Sequence, residues 1–118
     1  MIYDKPLIET EKTKVIFRKW NKDIDPKQGI IAIFPEELPP GYMPICNMDA
    51  WERYERGERG KINFWFGLCV PEVVIMSSKL ATEIEYLEDK NYLENHYGYN
   101  LKVLKRIPRT AKKVTRKA

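Results

Sequence analysis

A chain of 118 residues that is 43% hydrophobic and 32% charged has the size and balance of one globular domain, able to bury a core without disulfide or metal staples. Its longest apolar runs, Ile30 to Phe34 and Phe64 to Val70, fall far short of the ~18 residues of a membrane span. The net charge of +4 is unevenly spread: eight of the 21 basic residues lie from Lys102 onward with no acid among them, which leaves 13 basic and 17 acidic residues before that point. The pattern is an acidic body with a cationic end.

Met1 to Pro6 lacks the basic-then-apolar layout of a secretory signal, so a cytoplasmic, reducing setting is expected. Cys46 and Cys69 accordingly read as buried thiols acting as small hydrophobes. Residues up to Thr13 carry no firm structural signal. Lys14–Trp20 and Gly29–Phe34 are rich in β-branched and aromatic residues and read as strands. The polar link between them, with Asp25-Pro26, suggests an antiparallel hairpin. The second strand is apolar on both faces, as expected of a central strand covered twice. Three prolines between Pro35 and Gly41 stop it. Tyr42 to Met48 reads as a third strand interrupted by Pro44.

Asp49 to Gly60 opens on Asp49-Ala50-Trp51-Glu52, which has the form of a capping box. Acids and bases alternate after it. The spacing predicts a short helix ended by Gly57 and Gly60, with a charged hairpin tip as the alternative. Lys61 to Val70 is a strong strand signal, broken by Pro71, and Val73 to Met76 suggests a short edge strand. Ser77 or Ser78 then reads as the N-cap of the main helix. Leu80, Ile84 and Leu87 form its apolar face opposite Glu83, Glu85 and Glu88. Beyond Lys90-Asn91 the apolar positions move to Tyr92, Leu93, His96 and Tyr97, which predicts a kink or a second short helix. Gly98 fits a C-terminal cap. Tyr99 to Ile107 reads as a last strand, and Pro108 closes it.

The order predicts an α+β domain over residues 1–108, followed by a solvated basic tail over 109–118. Its antiparallel or mixed sheet would hold about 4–6 strands. One main helix would lie on one face, with a short helix or loop in the middle.

Three stretches carry a resemblance: Thr13 to Lys19, Ile31 to Glu36, and Gly98 to Ile107. They resemble an uncharacterised group of small proteins from anaerobic gut-type bacteria, their phages and mobile elements. The matching residues are strand-like and bear on fold, and the group implies no activity. In that group the middle commonly holds a Cys-Met-Ser-Tyr-like block followed by Gln-His. Here Cys46-Asn47-Met48-Asp49 stands in that place, with Arg and Glu where a histidine would be. The resemblance implies a bacterial host cytoplasm or association with a virion.

Catalysis finds little support. His96 is the one histidine, too few for a zinc site with Cys46 and Cys69 and the sole base available to a cysteine nucleophile. Arg56-Gly57-Glu58-Arg59-Gly60-Lys61 departs from a phosphate-binding loop, since Glu58 opposes an anion. No enzymatic activity, metal or cofactor is expected. The basic end is the stronger signal. Lys102, Lys105, Arg106, Arg109, Lys112, Lys113, Arg116 and Lys117 form an electrostatic footprint for nucleic acid, and Tyr97 and Tyr99 just upstream are candidates to stack on unpaired bases. The alternative is a protein-binding module, inhibitory or part of an assembly. It would use Trp51, Arg53, Tyr54 and Arg56 together with the exposed sheet, because aromatic residues and Arg are the usual anchors of interfaces.

Overall fold

The computed structural model describes residues 12–38, 48–56, 61–108 and 114–115. Strands β1 (Thr13–Trp20) and β2 (Ile30–Phe34) form the predicted antiparallel hairpin, with Ile16 opposite Ile33 and Lys19 opposite Ile30. Asp25 shapes the connection. Its carboxylate accepts from the backbone N–H of Gly29 (2.9 Å) and of Lys27 (3.1 Å), an Asx-type turn. Gln28 takes the left-handed conformation (φ 49°), and its Nε2 donates to the Trp20 carbonyl at 3.3 Å.

After β2 comes the two-residue strand β3 (Glu37–Leu38), then β4 (Met48–Arg56) and β5 (Lys61–Cys69). The last two pair antiparallel along their whole length, from Met48↔Cys69 to Arg56↔Lys61. The helix expected from Asp49 is therefore corrected to a strand, and the hairpin alternative holds. The reason is a period of two. Trp51 joins one core and Ala50 the other, on opposite faces of the pleat. Glu52 does not cap a helix either; its Oε1 accepts from Trp20 Nε1 at 3.0 Å. The strand proposed over Tyr42 to Met48 lies outside the described residues except at Met48, and so do Gly57 and Gly60.

Helix α1 (Pro71–Met76) replaces the edge strand expected at Val73 to Met76. Pro71 stands in its first turn, where a missing N–H is harmless. Strand β6 (Ser78–Leu80) follows, so Ser77 and Ser78 do not cap the main helix. That helix, α2 (Glu83–Tyr97), starts from Thr82 in a reciprocal capping box: Thr82 Oγ1 accepts from the Glu85 amide and Glu85 Oε1 accepts from the Thr82 amide. It runs unbroken through Lys90-Asn91, without the expected kink or second helix. Gly98 ends it at φ 78°. Thr82→Ala is expected to lower stability by about 1 kcal/mol, read from urea unfolding, with Thr82→Ser close to wild type.

Strand β7 (Leu101–Val103) pairs parallel with β1, and β8 (Val114–Thr115) pairs parallel with β3. The main sheet is thus mixed: β5-β4-β2-β1-β6 antiparallel, with β7 added to β1. The fold is α+β. Val15, Phe17, Ala32, Phe34 and Trp51 form one core with Leu93 of α2, Tyr99 and Leu101. Ile16, Ile31, Ile33, Ala50 and Cys69 form the other with Val74 of α1, and Leu104 and Ile107 pack against it. Cys69 is buried, as expected of a core thiol; Cys46 lies outside the described residues. The segment read as a solvated tail is corrected at Val114 and Thr115, whose backbone pairs with the body.

Candidate polyanion-binding edge

The outer edge of β1 is shared by two short strands. β6 takes Arg18 to Trp20, and β7 takes Thr13 to Val15. Exposed sheet edges invite pairing with other chains, and here side chains blunt them. Arg18 Nε donates to Ser78 Oγ (2.7 Å) and its Nη2 to the Ser78 carbonyl (2.9 Å) and the Ile75 carbonyl (3.5 Å). One guanidinium thereby ties α1 to β6, and burial draws its pKa below the ordinary value. At the other strand, the Leu101 amide donates to Glu94 Oε2 at 3.4 Å.

β7 is held by the Thr13 amide on the Asn100 carbonyl (2.7 Å) and the Leu104 amide on the Val15 carbonyl (2.8 Å). Leu101 and Val103 turn into the first core. Strand alternation therefore sends Lys102 to the other face, in register with Lys14. Leu104 and Ile107 pack on the second core while the two residues between them, Lys105 and Arg106, are exposed. Lys102, Lys105 and Arg106 thus ride on backbone anchored on both sides. None of the three makes an ion pair or side-chain hydrogen bond with another described residue.

Three cations in the fold are engaged by carboxylates, while Lys12, Lys22 and Lys79 are exposed without an ion pair among the described residues. Lys14 pairs with Glu36 at 3.1 Å, Lys90 with Glu94 at 3.1 Å, and Lys19 with Glu85. The Lys19 ammonium, the Thr82 amide and the Thr82 hydroxyl together hold the Glu85 carboxyl down at about 2, against an ordinary 4.5. A carboxylate depressed in the folded state contributes stability that is complete above about pH 4.5 and is lost as pH falls toward about 2. Lys19→Met should therefore be clearly less stable than wild type at pH 6, and the gap in urea midpoints should close by pH 2. Glu52 has the opposite sign. Its burial raises the pKa, Trp20 Nε1 offsets part of that, and the Asp25 carboxylate adds to it, so acidification relieves a penalty there.

The remaining sequence-predicted residues are placed differently. Arg109, Lys112, Lys113, Arg116 and Lys117 lie outside the described residues. Trp51 is 0% exposed and stacks on Tyr92 with ring centroids 5.7 Å apart. It is a core residue and is withdrawn as an interface anchor. Arg53, Tyr54 and Arg56 lie on β4 opposite Phe64, Asn63 and Lys61. Tyr99 is also buried, stacked on Phe34 at 5.1 Å, so it offers no face to a base. Tyr97 is half-buried and edge-on to Tyr92 and His96, while exposed His96 stacks on Tyr92 at 4.8 Å. Burial, reinforced by Tyr97, pushes the Tyr92 hydroxyl up.

The expected apolar face of the main helix is also reversed. Leu80, Ile84 and Leu87 are exposed, Ile84 at 91%, and the buried side carries Asp89 and Leu93, with Tyr86 and Tyr92 packed on the core. Sequence reasoning singled out neither Arg18 nor the role of Glu52 as acceptor for Trp20. Only the register that brings Arg18 opposite Leu80 and Trp20 opposite Ser78 makes the first of these visible.

Among the described residues no helix is long and apolar enough to cross a membrane, and no three His, Cys, Asp or Glu side chains are grouped to hold a metal ion. Comparison with protein-family models, curated proteins and solved structures finds no match.

Proposed function

We propose that this protein is a non-enzymatic accessory protein, of the phage or mobile-element type its end segments resemble, that contacts nucleic acid through its C-terminal cations. One observation carries the reading. Lys102, Lys105 and Arg106 are solvated and have no carboxylate partner among the described residues, and they stand at the head of a stretch that holds eight cations and no acid. Exposed Lys12, Lys22 and Lys79 also lack an ion pair among the described residues, so what sets Lys102, Lys105 and Arg106 apart is their grouping in an acid-free stretch. Cations on a fixed backbone suit phosphates, because the ordering entropy is already spent in folding.

The chemistry is positioning without base readout, so recognition is by charge and largely independent of sequence. Fluorescence anisotropy with labelled duplexes of unrelated sequence tests it. The expected result is similar micromolar-range affinity for each duplex at low salt, weakening together as salt rises. Absence of binding at 50 mM salt would overturn the reading.

A further inference from the structure

The main sheet ends in two unlike edges. At one end stands β6, three residues long, with exposed Lys79 at its centre and the Ser78 carbonyl already taken by Arg18. Short length, a lysine and a capped carbonyl all keep an edge from pairing further. At the other end stands β5, with no strand beyond it among the described residues. It is nine residues long, against about five or six for a common strand. Its pairing with β4 runs through every residue from Lys61 to Cys69 without a bulge. From Ile62 to Cys69 it holds no charged residue and no proline. This edge therefore offers a long, regular row of backbone donors and acceptors, with none of the protections found on β6.

We infer that the outer edge of β5 pairs with the same edge of a second copy, antiparallel about a two-fold axis at Trp65, so that two sheets join into one. Trp65 is the midpoint of β5, so this register keeps the whole of each strand in the ladder. It sets Phe64 against the partner's Phe66 and Ile62 against the partner's Leu68. The two-residue period places those four positions on one face, and aromatic pairs across an antiparallel ladder stabilise it. Charge also fits. Lys61 stands in register with Arg56, which puts like charges at one end of the hairpin. Antiparallel pairing carries that end to the start of the partner's α1, whose first turn holds exposed Glu72. A parallel arrangement would instead set Lys61 beside the partner's Lys61, which is unfavourable. A two-fold contact uses the same patch on both copies, and β6 is blunted, so assembly stops at two. The inference stands apart from the nucleic-acid reading.

The test uses the full chain without nucleic acid. In sedimentation, wild type should be two copies at about 200 µM and one copy at about 1 µM, for a dissociation constant on the order of 10 µM. Amide hydrogen exchange at the same two concentrations locates the contact. Amides of Ile62 to Leu68 should exchange at least about threefold more slowly in the concentrated sample, while those of β6 stay unchanged. Asn63→Lys places an edge lysine opposite the partner's Gly67, twice per contact. It should raise the dissociation constant at least about tenfold with an unchanged circular dichroism spectrum. A single copy at the higher concentration overturns the inference, and so does any species larger than two copies. Two copies whose β5 exchange ignores concentration overturn it as well, since the contact then lies elsewhere. A folded Asn63→Lys variant that associates like wild type does the same. If that variant does not fold, exchange in wild type decides alone.

Discussion

Trp51→Ala is expected to lower folding stability by about 3–5 kcal/mol, the usual range for truncating a buried aromatic. Trp51 is fully enclosed, faces Ala32 across the β2–β4 pair and stacks on Tyr92 of α2. It therefore joins the central strand to the main helix. Truncation leaves a cavity between two rigid elements that cannot collapse onto each other. Since whole domains are stable by only about 5–15 kcal/mol, the variant should unfold many degrees lower in a thermal melt. Trp51→Phe should retain more than half of the difference. A loss below about 1 kcal/mol would mean that Trp51 does not sit in the core.

Reversing the charge of Lys102, Lys105 and Arg106 together, each to Glu, is expected to weaken duplex binding by roughly 10²- to 10³-fold at 100 mM salt. Each phosphate contact contributes a slope of about 0.9 in log affinity against log salt, hence nearly one decade between 1 M and 0.1 M. Three contacts give nearly three decades. Because the side chains are exposed and make no described ion pair, the melting temperature should hardly move, exposed substitutions usually staying within about 0.5 kcal/mol. The pairing of these two variants is informative. Trp51→Ala lowers stability with every tail charge in place, whereas the charge reversal lowers binding with the fold in place.

Much of the sheet was legible in the chain. β1, β2 and β5 announce themselves by β-branched and aromatic content, and Gly98 announces the end of α2. What misled was chemistry with two meanings. Asp49-Ala50-Trp51-Glu52 satisfies a capping-box pattern and a strand alternation equally well. The choice fell to Trp51, whose large ring finds its place only in the core between sheet and helix. Val73-Val74-Ile75 has strand-like residues, yet Pro71 opens a helix there and Val74 seals the second core. Tertiary packing overrode local propensity. The capping box of α2, Thr82-Glu83-Ile84-Glu85, is written in the sequence, but the serines upstream offer the same cap chemistry.

The face of α2 was hidden for a different reason. Its buried side is carried by tyrosines, Asp89 and Leu93, while Ile84 and Leu87 look outward, so counting aliphatic residues selects the wrong side. As for the candidate site, the charge asymmetry was fully legible. The anchoring of Lys102 to Arg106 was not, because it depends on which strands pair. Parallel pairing of β7 with β1 and of β8 with β3 brings together residues far apart in sequence, and no local pattern encodes that.

The most direct measurement is the salt dependence of duplex affinity for wild type and for a variant with Lys102, Lys105 and Arg106 all changed to Ala. Wild type should show a steep linear fall of log affinity with log salt, and the variant a slope shallower by about 2.7, or 0.9 for each lost contact. Parallel lines for the two proteins would show that these cations do not meet phosphate, and would contradict the account.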